Sequence, residues 1–470
     1  MPAARLTRRS FFLEAAALAQ RRRFNVLFLA IDDLRPKLGC YGDRFAQTPH
    51  IDAIAARGVT FERAYCQQAV CGPSRASLLT GLRPDTIKVY DLKTSFRATV
   101  PDALTLPQLF KQHGYITEST GKVFHSHPAM LDPQSWSAPE RLSLFDSMRD
   151  LYALERNKAP KGAPEKTAAT ECADVPDEAY IDGRVAADAI RTLHRLRDKP
   201  FFLAVGFRKP HLPFAAPRRF WDLYDRSRVP LAPNNTRPAG MPPIALAKYQ
   251  ELRSYADIPA EGPIPEAKMR EAIHGYYAAL SFSDANVGKL LSELDALGLR
   301  DNTIIALWGD HGWHLGEQDY WGKTTNFEVC VRAPLIVSVA GMRTAGQHSR
   351  ALVEFVDLYP TLTELCGLEL PNSLEGASFR PLLENPSRAW KAAAFSQYPR
   401  GRVMGYSLRT NTHRYTEWLG ADGTLAGAEL YDHVNDPGET VNTAHRTENR
   451  NLVAALHASL KAGWRGALPK

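Results

Sequence analysis

The chain of 470 residues has no run approaching the ~18 consecutive apolar residues that a helix needs to cross a bilayer, so no membrane span is expected. Cysteine is scarce. The six are scattered, with neither a C-x-x-C pair nor metal-ligand spacing, so they declare no zinc site and no disulfide framework. Internal repeats and low-complexity tracts are missing as well. Excess positive charge is also lacking from the body of the chain. The formal charge is +7, but residues 1–23 hold Arg5, Arg8, Arg9, Arg21, Arg22 and Arg23 against Glu14, which is +5 of it and leaves +2 for the remainder. That excludes a nucleic-acid partner held by bulk charge. What remains is an ordinary globular composition, long enough for a large core and one or two domains.

The arginine-rich start has a pattern of its own. Thr7-Arg8-Arg9-Ser10-Phe11-Phe12-Leu13 precedes Ala15 to Ala19, so a paired arginine leads a short apolar stretch ending in small residues. Residues 1–20 resemble a twin-arginine export signal cleaved near Ala19, although Glu14 interrupts the apolar stretch. Export would place the mature chain in the periplasm or outside the cell. Without a working signal it would stay in the cytoplasm.

Residues 24–31 are too continuously apolar for a strand with one wet face and read as a central parallel strand covered on both sides. Strands are also expected at 115–120, 201–207, 303–308 and 334–339. Helices are expected at 48–56, 104–112, 188–197, 285–297 and 353–365, three of them near a closing glycine (Gly58, Gly114 and Gly298). The alternation argues for an α/β fold with a mainly parallel sheet. Residues 139–180 are irregular, and the proline-rich stretch 212–270 reads as a long surface insertion over one sheet edge. Beyond residue 380 the segments shorten. Those at 405–409, 415–418 and 428–432 suggest a small antiparallel sheet, and 451–461 a last helix. The expected organisation is a domain over 21–380 and a smaller C-terminal α+β subdomain over 381–470.

Asp32-Asp33, Lys122, His211 and Asp310-His311 each stand just past the C-terminal end of an expected strand. Open α/β sheets bind ligands at that edge, so distant stretches of chain deliver charged groups to one crevice. Three clustered carboxylates repel one another unless a cation neutralises them. Oxygen ligands suit a hard ion, Ca²⁺ or Mg²⁺, and His311 would add a nitrogen. A single aspartate at such a place is usually a cap or turn residue. A consecutive pair, with Asp-His at a second strand end, points to a metal.

Cys71-Gly72-Pro73-Ser74-Arg75 is followed by Leu79-Thr80-Gly81. Alone, this is a cysteine at a turn before a helix, with Arg75 one helical turn on and able to face the same pocket. The pattern resembles the signature of the formylglycine-dependent sulfatases. Gly121-Lys122 with His125, Lys209-Pro210-His211-Leu212-Pro213 and Gly322-Lys323 match segments of that family too. Arg83-Pro84-Asp85-Thr86, Tyr90-Asp91, Asp310-His311-Gly312-Trp313 and Met404-Gly405-Tyr406-Ser407 are most similar to its iduronate-2-sulfatase branch. The resemblance covers most of 24–470. It departs from the branch at Thr324 and His314, both expected near the sugar.

The resemblance implies an alkaline-phosphatase-like fold with a large mixed sheet between helices. It implies that a maturase oxidises Cys71 to formylglycine, whose hydrate attacks sulfur. Asp32, Asp33, Cys71, Asp310 and His311 would hold Ca²⁺, with Mg²⁺ as the alternative. Arg75 would stabilise the hydrate, Lys122 and Lys323 would neutralise the sulfate, His125 would hold or deprotonate the second hydroxyl, and His211 would serve the leaving oxygen. The substrate implied is a 2-O-sulfated uronic acid in a sulfated glycan. A phosphonate or phosphate monoester hydrolase of the same superfamily is the alternative enzyme, and a non-catalytic glycan-binding relative the alternative without chemistry.

Overall fold

A computed structural model describes residues 23–144, 148–159 and 166–469; the expected export signal lies outside them. A seven-stranded sheet is built from β1 (Asn25–Ile31), β2 (Val59–Tyr65), β3 (Ile116–Gly121), β4 (Phe201–Phe207), β5 (Thr303–Gly309), β6 (Leu335–Ser338) and β7 (Gln347–Glu354). Its order is β7-β2-β6-β5-β1-β4-β3. β1 runs parallel to β4 and β5, and β3 parallel to β4. β6 is antiparallel to both neighbours. Two reversals restore direction, so β2 points the same way as β1.

The apolar run in β1 has the cause its sequence implies. Val26, Phe28 and Ala30 enter one buried cluster, while Leu27, Leu29 and Ile31 enter another. Successive side chains face opposite sides of a sheet, so a strand covered on both faces must be apolar throughout. One cover is the 31-residue helix Glu266–Ala296, of which the expected 285–297 is the last part. Another is Ile181–Leu196, which begins before the expected 188.

Two expectations need correction, and one strand had no expectation. Residues 353–365 are not one helix: Val353 and Glu354 finish β7, and the helix is Leu358–Leu365. The irregular stretches 139–180 and 212–270 contain a parallel pair, Thr170–Ala173 with Phe214–Pro217, and every residue of the latter is buried. Residues 59–65, to which the sequence reading assigns no element, form an interior strand, because β6 and β7 flank them.

A second, antiparallel sheet contains β8 (Ala394–Arg400), β9 (Val403–Arg409), β10 (His413–Gly420) and β11 (Leu425–Asp432) in that order. The helix Arg450–Ala462 follows it. Among the described residues, no helix is long and apolar enough to cross a membrane.

Candidate active site

The parallel strands end at one edge, and their extensions converge there. Asp32 and Asp33 follow β1, Lys122 follows β3, the 208–213 segment follows β4, and Asp310-His311 follow β5. Backbone bonds lock these ends together. Asp32 N–H donates to Phe207 O at 3.1 Å, Asp310 N–H to Ile31 O at 3.2 Å and Lys122 N–H to Gly206 O at 2.8 Å. The last contact requires glycine. A Cβ on Gly206 would collide with the Lys122 backbone, and Gly121 has a φ of 78°, which side chains rarely tolerate.

Cys71 is the first residue of the helix Cys71–Thr80, which β2 feeds from the same sheet edge. Arg75, one turn on, is fully enclosed. Its Nε donates to Asp310 Oδ2 at 2.8 Å, its Nη2 to Asp32 Oδ1 at 3.4 Å, and its Nη1 to the carbonyls of Lys122 and Val123. Arg75 thus aligns carboxylates and backbone beside Cys71, whose thiol is among the groups that act on it. Asp310 Oδ1 in turn accepts the N–H groups of Asp33 and His311, both at 3.0 Å.

Asp32, Cys71, Asp310 and His311 bring one donor atom each within 4.8 Å of one another, all buried. His311 Nδ1 lies 2.9 Å from Gly312 O. A carbonyl only accepts, so Nδ1 carries the proton and Nε2 presents its lone pair to the cluster, as a metal-ligating imidazole must. Burial lowers the His311 pKa, which keeps the ring neutral. Nε2 is 3.4 Å from Cys71 Sγ and 3.5 Å from Asp33 Oδ1.

Lys122 Nζ pairs with Asp32 Oδ2, and Lys323 Nζ lies 2.8 Å from Asp33 Oδ1 and 3.6 Å from Cys71 Sγ. Burial opposes ionisation of Asp32, yet Lys122, with His211, Arg75 and Lys323, holds it well below the usual carboxylate range. Burial pushes Asp33 well above that range despite Lys323. Asp33 Oδ2 is buried and accepts no hydrogen bond. Burial, with Asp32 beside it, also pushes the Cys71 thiol far up. A thiol so placed stays protonated and is a poor nucleophile.

His211 and His125 stand at the border, each partly exposed. His211 Nδ1 faces Leu212 O at 2.6 Å, so Nε2 is its working atom; it lies 3.9 Å from Asp33 Oδ2. Burial pushes His211 down to about 3 and His125, with Lys122 adding to the effect, to about 2. Both rings are therefore neutral at ordinary pH.

Glu251 escaped the sequence reading. It lies in the proline-rich stretch, in no motif, and its carboxylate is 3.4 Å from Lys323 Nζ and 3.5 Å from His211 Nε2. Lys323, with His211, overcomes burial and holds it down to about 2. His314 is a further correction: expected near the sugar, it is fully buried, bonded to Glu317 O at 3.1 Å and Thr325 Oγ1 at 2.9 Å.

The donor set suits a hard divalent ion. Four carboxylates (Asp32, Asp33, Asp310, Glu251) meet three cations (Arg75, Lys122, Lys323). With Asp33 ionised, as it would be against a bound cation, that is a formal negative excess, which would repel an anionic ester; without one, burial keeps Asp33 protonated and its Oδ2 has no partner. A bound dication would satisfy that oxygen and reverse the sign of the site.

Comparison with known proteins shows the family. The sulfatase family model matches residues 24–368, and the model described as N-sulphoglucosamine sulphohydrolase, C-terminal, matches 316–465. Iduronate 2-sulfatase of Mus musculus is 36% identical over 517 residues, covering 92% of this chain and 93% of that protein. Its Homo sapiens counterpart is also 36% identical, over 94% of this chain and 95% of its own length. Among solved structures, phosphonate monoester hydrolase of Agrobacterium radiobacter superposes with a TM-score of 0.78 at 22% identity, over 94% of this chain and 96% of that one. At that identity the likeness concerns the fold, and the fold is the one the resemblance implied.

Proposed function

Because the chain belongs to the sulfatase family and is a sulfuric ester hydrolase, we propose that it removes 2-O-sulfate from uronic acid residues of sulfated glycans, using a formylglycine hydrate formed from Cys71. The observation that carries this reading is the setting of Cys71: an enclosed, protonated thiol beside Lys323 and His311, at the focus of the charged cluster. Such a thiol has little use as itself, whereas hydroxyls at that position would lie among cations and metal-ligating groups. The choice of substrate draws on the 36% identity to proteins named iduronate 2-sulfatase.

Asp32, Asp33, Asp310, His311 and the converted residue 71 would hold Ca²⁺, or Mg²⁺ in its place. A bound cation there would supply Lewis acidity, making a nearby hydroxyl easier to deprotonate and drawing charge from the sulfuryl oxygens. Lys122 and Lys323 would neutralise the sulfate, as fixed cations do for a developing anion. His125, neutral and partly open, would take the proton of the second hydroxyl, and His211 would serve the leaving oxygen through Nε2. Arg75, bonded to Asp32 and Asp310, would hold these carboxylates in register beside residue 71. Since Cys71 is closed off in the folded chain, the maturase would act before the site closes. Export through residues 1–20 belongs to the same reading.

The test begins with the mass of the Cys71 peptide from protein produced together with a maturase. Conversion of thiol to aldehyde is expected, followed by turnover of 2-O-sulfated uronates in preference to simple aryl sulfates. An unconverted thiol in fully active protein sinks the mechanism. Aryl sulfate turnover without desulfation of any uronate sinks the substrate. Faster hydrolysis of a phosphonate monoester than of its matched sulfate moves the chain to the alternative chemistry.

A further inference from the structure

Beside Lys323 stands a cation that the catalytic cluster does not use. Arg400 ends β8, where the second sheet approaches the site. It is half-buried, with its guanidinium 4.6 Å from the centre of the Tyr398 ring and 5.7 Å from that of Trp418. Its Nη2 donates to Thr324 O at 2.5 Å and Ala245 O at 3.3 Å. Nη1 reaches only the carbonyl of Pro399 at 3.4 Å, and the buried Nε has no partner. Tyr398 and Tyr320 act on Arg400 more than any carboxylate does; the carboxylate that acts on it is Glu429, which burial pushes up to about 7 and which bonds instead to Trp418 and Tyr431.

Four of the enclosed arginines differ. Arg35 meets Glu317 at 2.8 Å, Arg75 meets Asp310 at 2.8 Å, Arg83 meets Glu354 at 2.8 Å and Arg414 meets Glu328 at 2.5 Å. Arg400 makes no ion pair among the described residues. Holding a cation away from water without a counter-ion is costly, and the cost is recovered where a ligand brings the anion.

Thr324 ties Arg400 to the centre. Its φ is 77°, a conformation that strains a β-branched residue. Thr324 N–H donates to Ala69 O at 3.0 Å, two residues before Cys71, while its carbonyl turns to Arg400. Arg400 is thus one hydrogen bond and one residue from Lys323.

We infer that Arg400 is a specificity-determining residue that receives the carboxylate of the substrate's uronate ring; this rests on the uronate reading above. In a uronate 2-sulfate the ester at C2 and the carboxylate at C5 lie across the ring from one another. One cation cannot serve both. Lys122 and Lys323 face the sulfate, and Arg400 supplies a separate, planar donor set matched to a carboxylate.

The matured enzyme is tested on three substrates: a 2-O-sulfated uronate disaccharide, its carboxyl-reduced counterpart, and 4-nitrophenyl sulfate. Wild type should prefer the carboxylate over the reduced sugar. Arg400→Gln should lower kcat/KM on the uronate about 10- to 100-fold, chiefly through KM, erase that preference, and leave 4-nitrophenyl sulfate within about two-fold. Should the glutamine variant not fold, Arg400→Lys carries the same comparison, with partial loss expected. A preference that survives substitution, or equal loss on all three substrates, overturns the assignment alone. Wild type that desulfates neither sugar while turning over the aryl sulfate overturns the uronate reading and this assignment with it.

Discussion

Arg75 and Asp310 meet at 2.8 Å, Nε to Oδ2, with neither side chain open to solvent. One comes from the helix that begins at Cys71 and the other from the end of β5, so the pair joins the element carrying the proposed nucleophile to a strand end proposed to ligate the metal. The second Asp310 oxygen takes two backbone N–H groups. Asp310 therefore has little freedom to rotate.

Arg75→Ala is expected to leave Asp310 and Asp32 without their shared cation. Breaking a buried pair costs about 3–5 kcal/mol, and turnover should fall to background. Denaturant melts and a rate assay check this. An unchanged midpoint would mean that the pair does not hold the site together.

Removing the ion from the matured enzyme with a chelator should abolish turnover and lower Tm, because a ligand that binds only the folded state stabilises it by mass action. Returning Ca²⁺ should restore both. Full activity in exhaustively chelated, metal-free protein, verified by elemental analysis, would refute the assignment of Asp32, Asp33, Asp310 and His311 as ligands.

Gly206→Ala is expected to disrupt the site from behind. The new Cβ would meet the Lys122 backbone where β3 and β4 end. Overpacking of this kind costs about 1–3 kcal/mol or more and would displace the Lys122 ammonium from Asp32. Reduced Tm together with a raised KM is the expected pair of results. Wild-type behaviour in both would show that the strand ends can separate freely.

Asp284, on the long helix Glu266–Ala296, accepts the N–H groups of His50 at 3.1 Å and Ile51 at 2.7 Å. Burial pushes it up to about 7, against about 3.9 in an unfolded chain. Between those values the folded protein binds a proton that the unfolded chain does not. Its stabilising contribution is therefore full at acid pH and is lost as pH rises through about 7. Asp284→Asn does not titrate, so its Tm relative to the parent should rise between about pH 5 and pH 8. A constant difference across that range would show that Asp284 does not carry the proton.

The strands that order the sheet were legible because burial on both faces leaves a local mark. Residues 24–31, 201–207 and 303–308 are apolar at nearly every position, and polar groups begin where each strand leaves the core. Parallel strands end at a common edge, so Asp32-Asp33, Lys122 and Asp310-His311 could be assigned to one crevice from their positions alone. The end of β7 was misread because Val353 and Val356 keep an i, i+3 spacing that runs on into the helix Leu358–Leu365. That a side chain was free or committed left no such mark. That Arg75 is enclosed against Asp310 is invisible in the sequence, and His314 reads as a sugar neighbour until Thr325 and Glu317 claim both its nitrogens. Glu251 and Arg400 reach Lys323 and Thr324 across more than seventy residues. Periodicity reports which face of an element is buried over a few residues. Which charges meet depends on how whole elements pack, and only the folded chain holds that information.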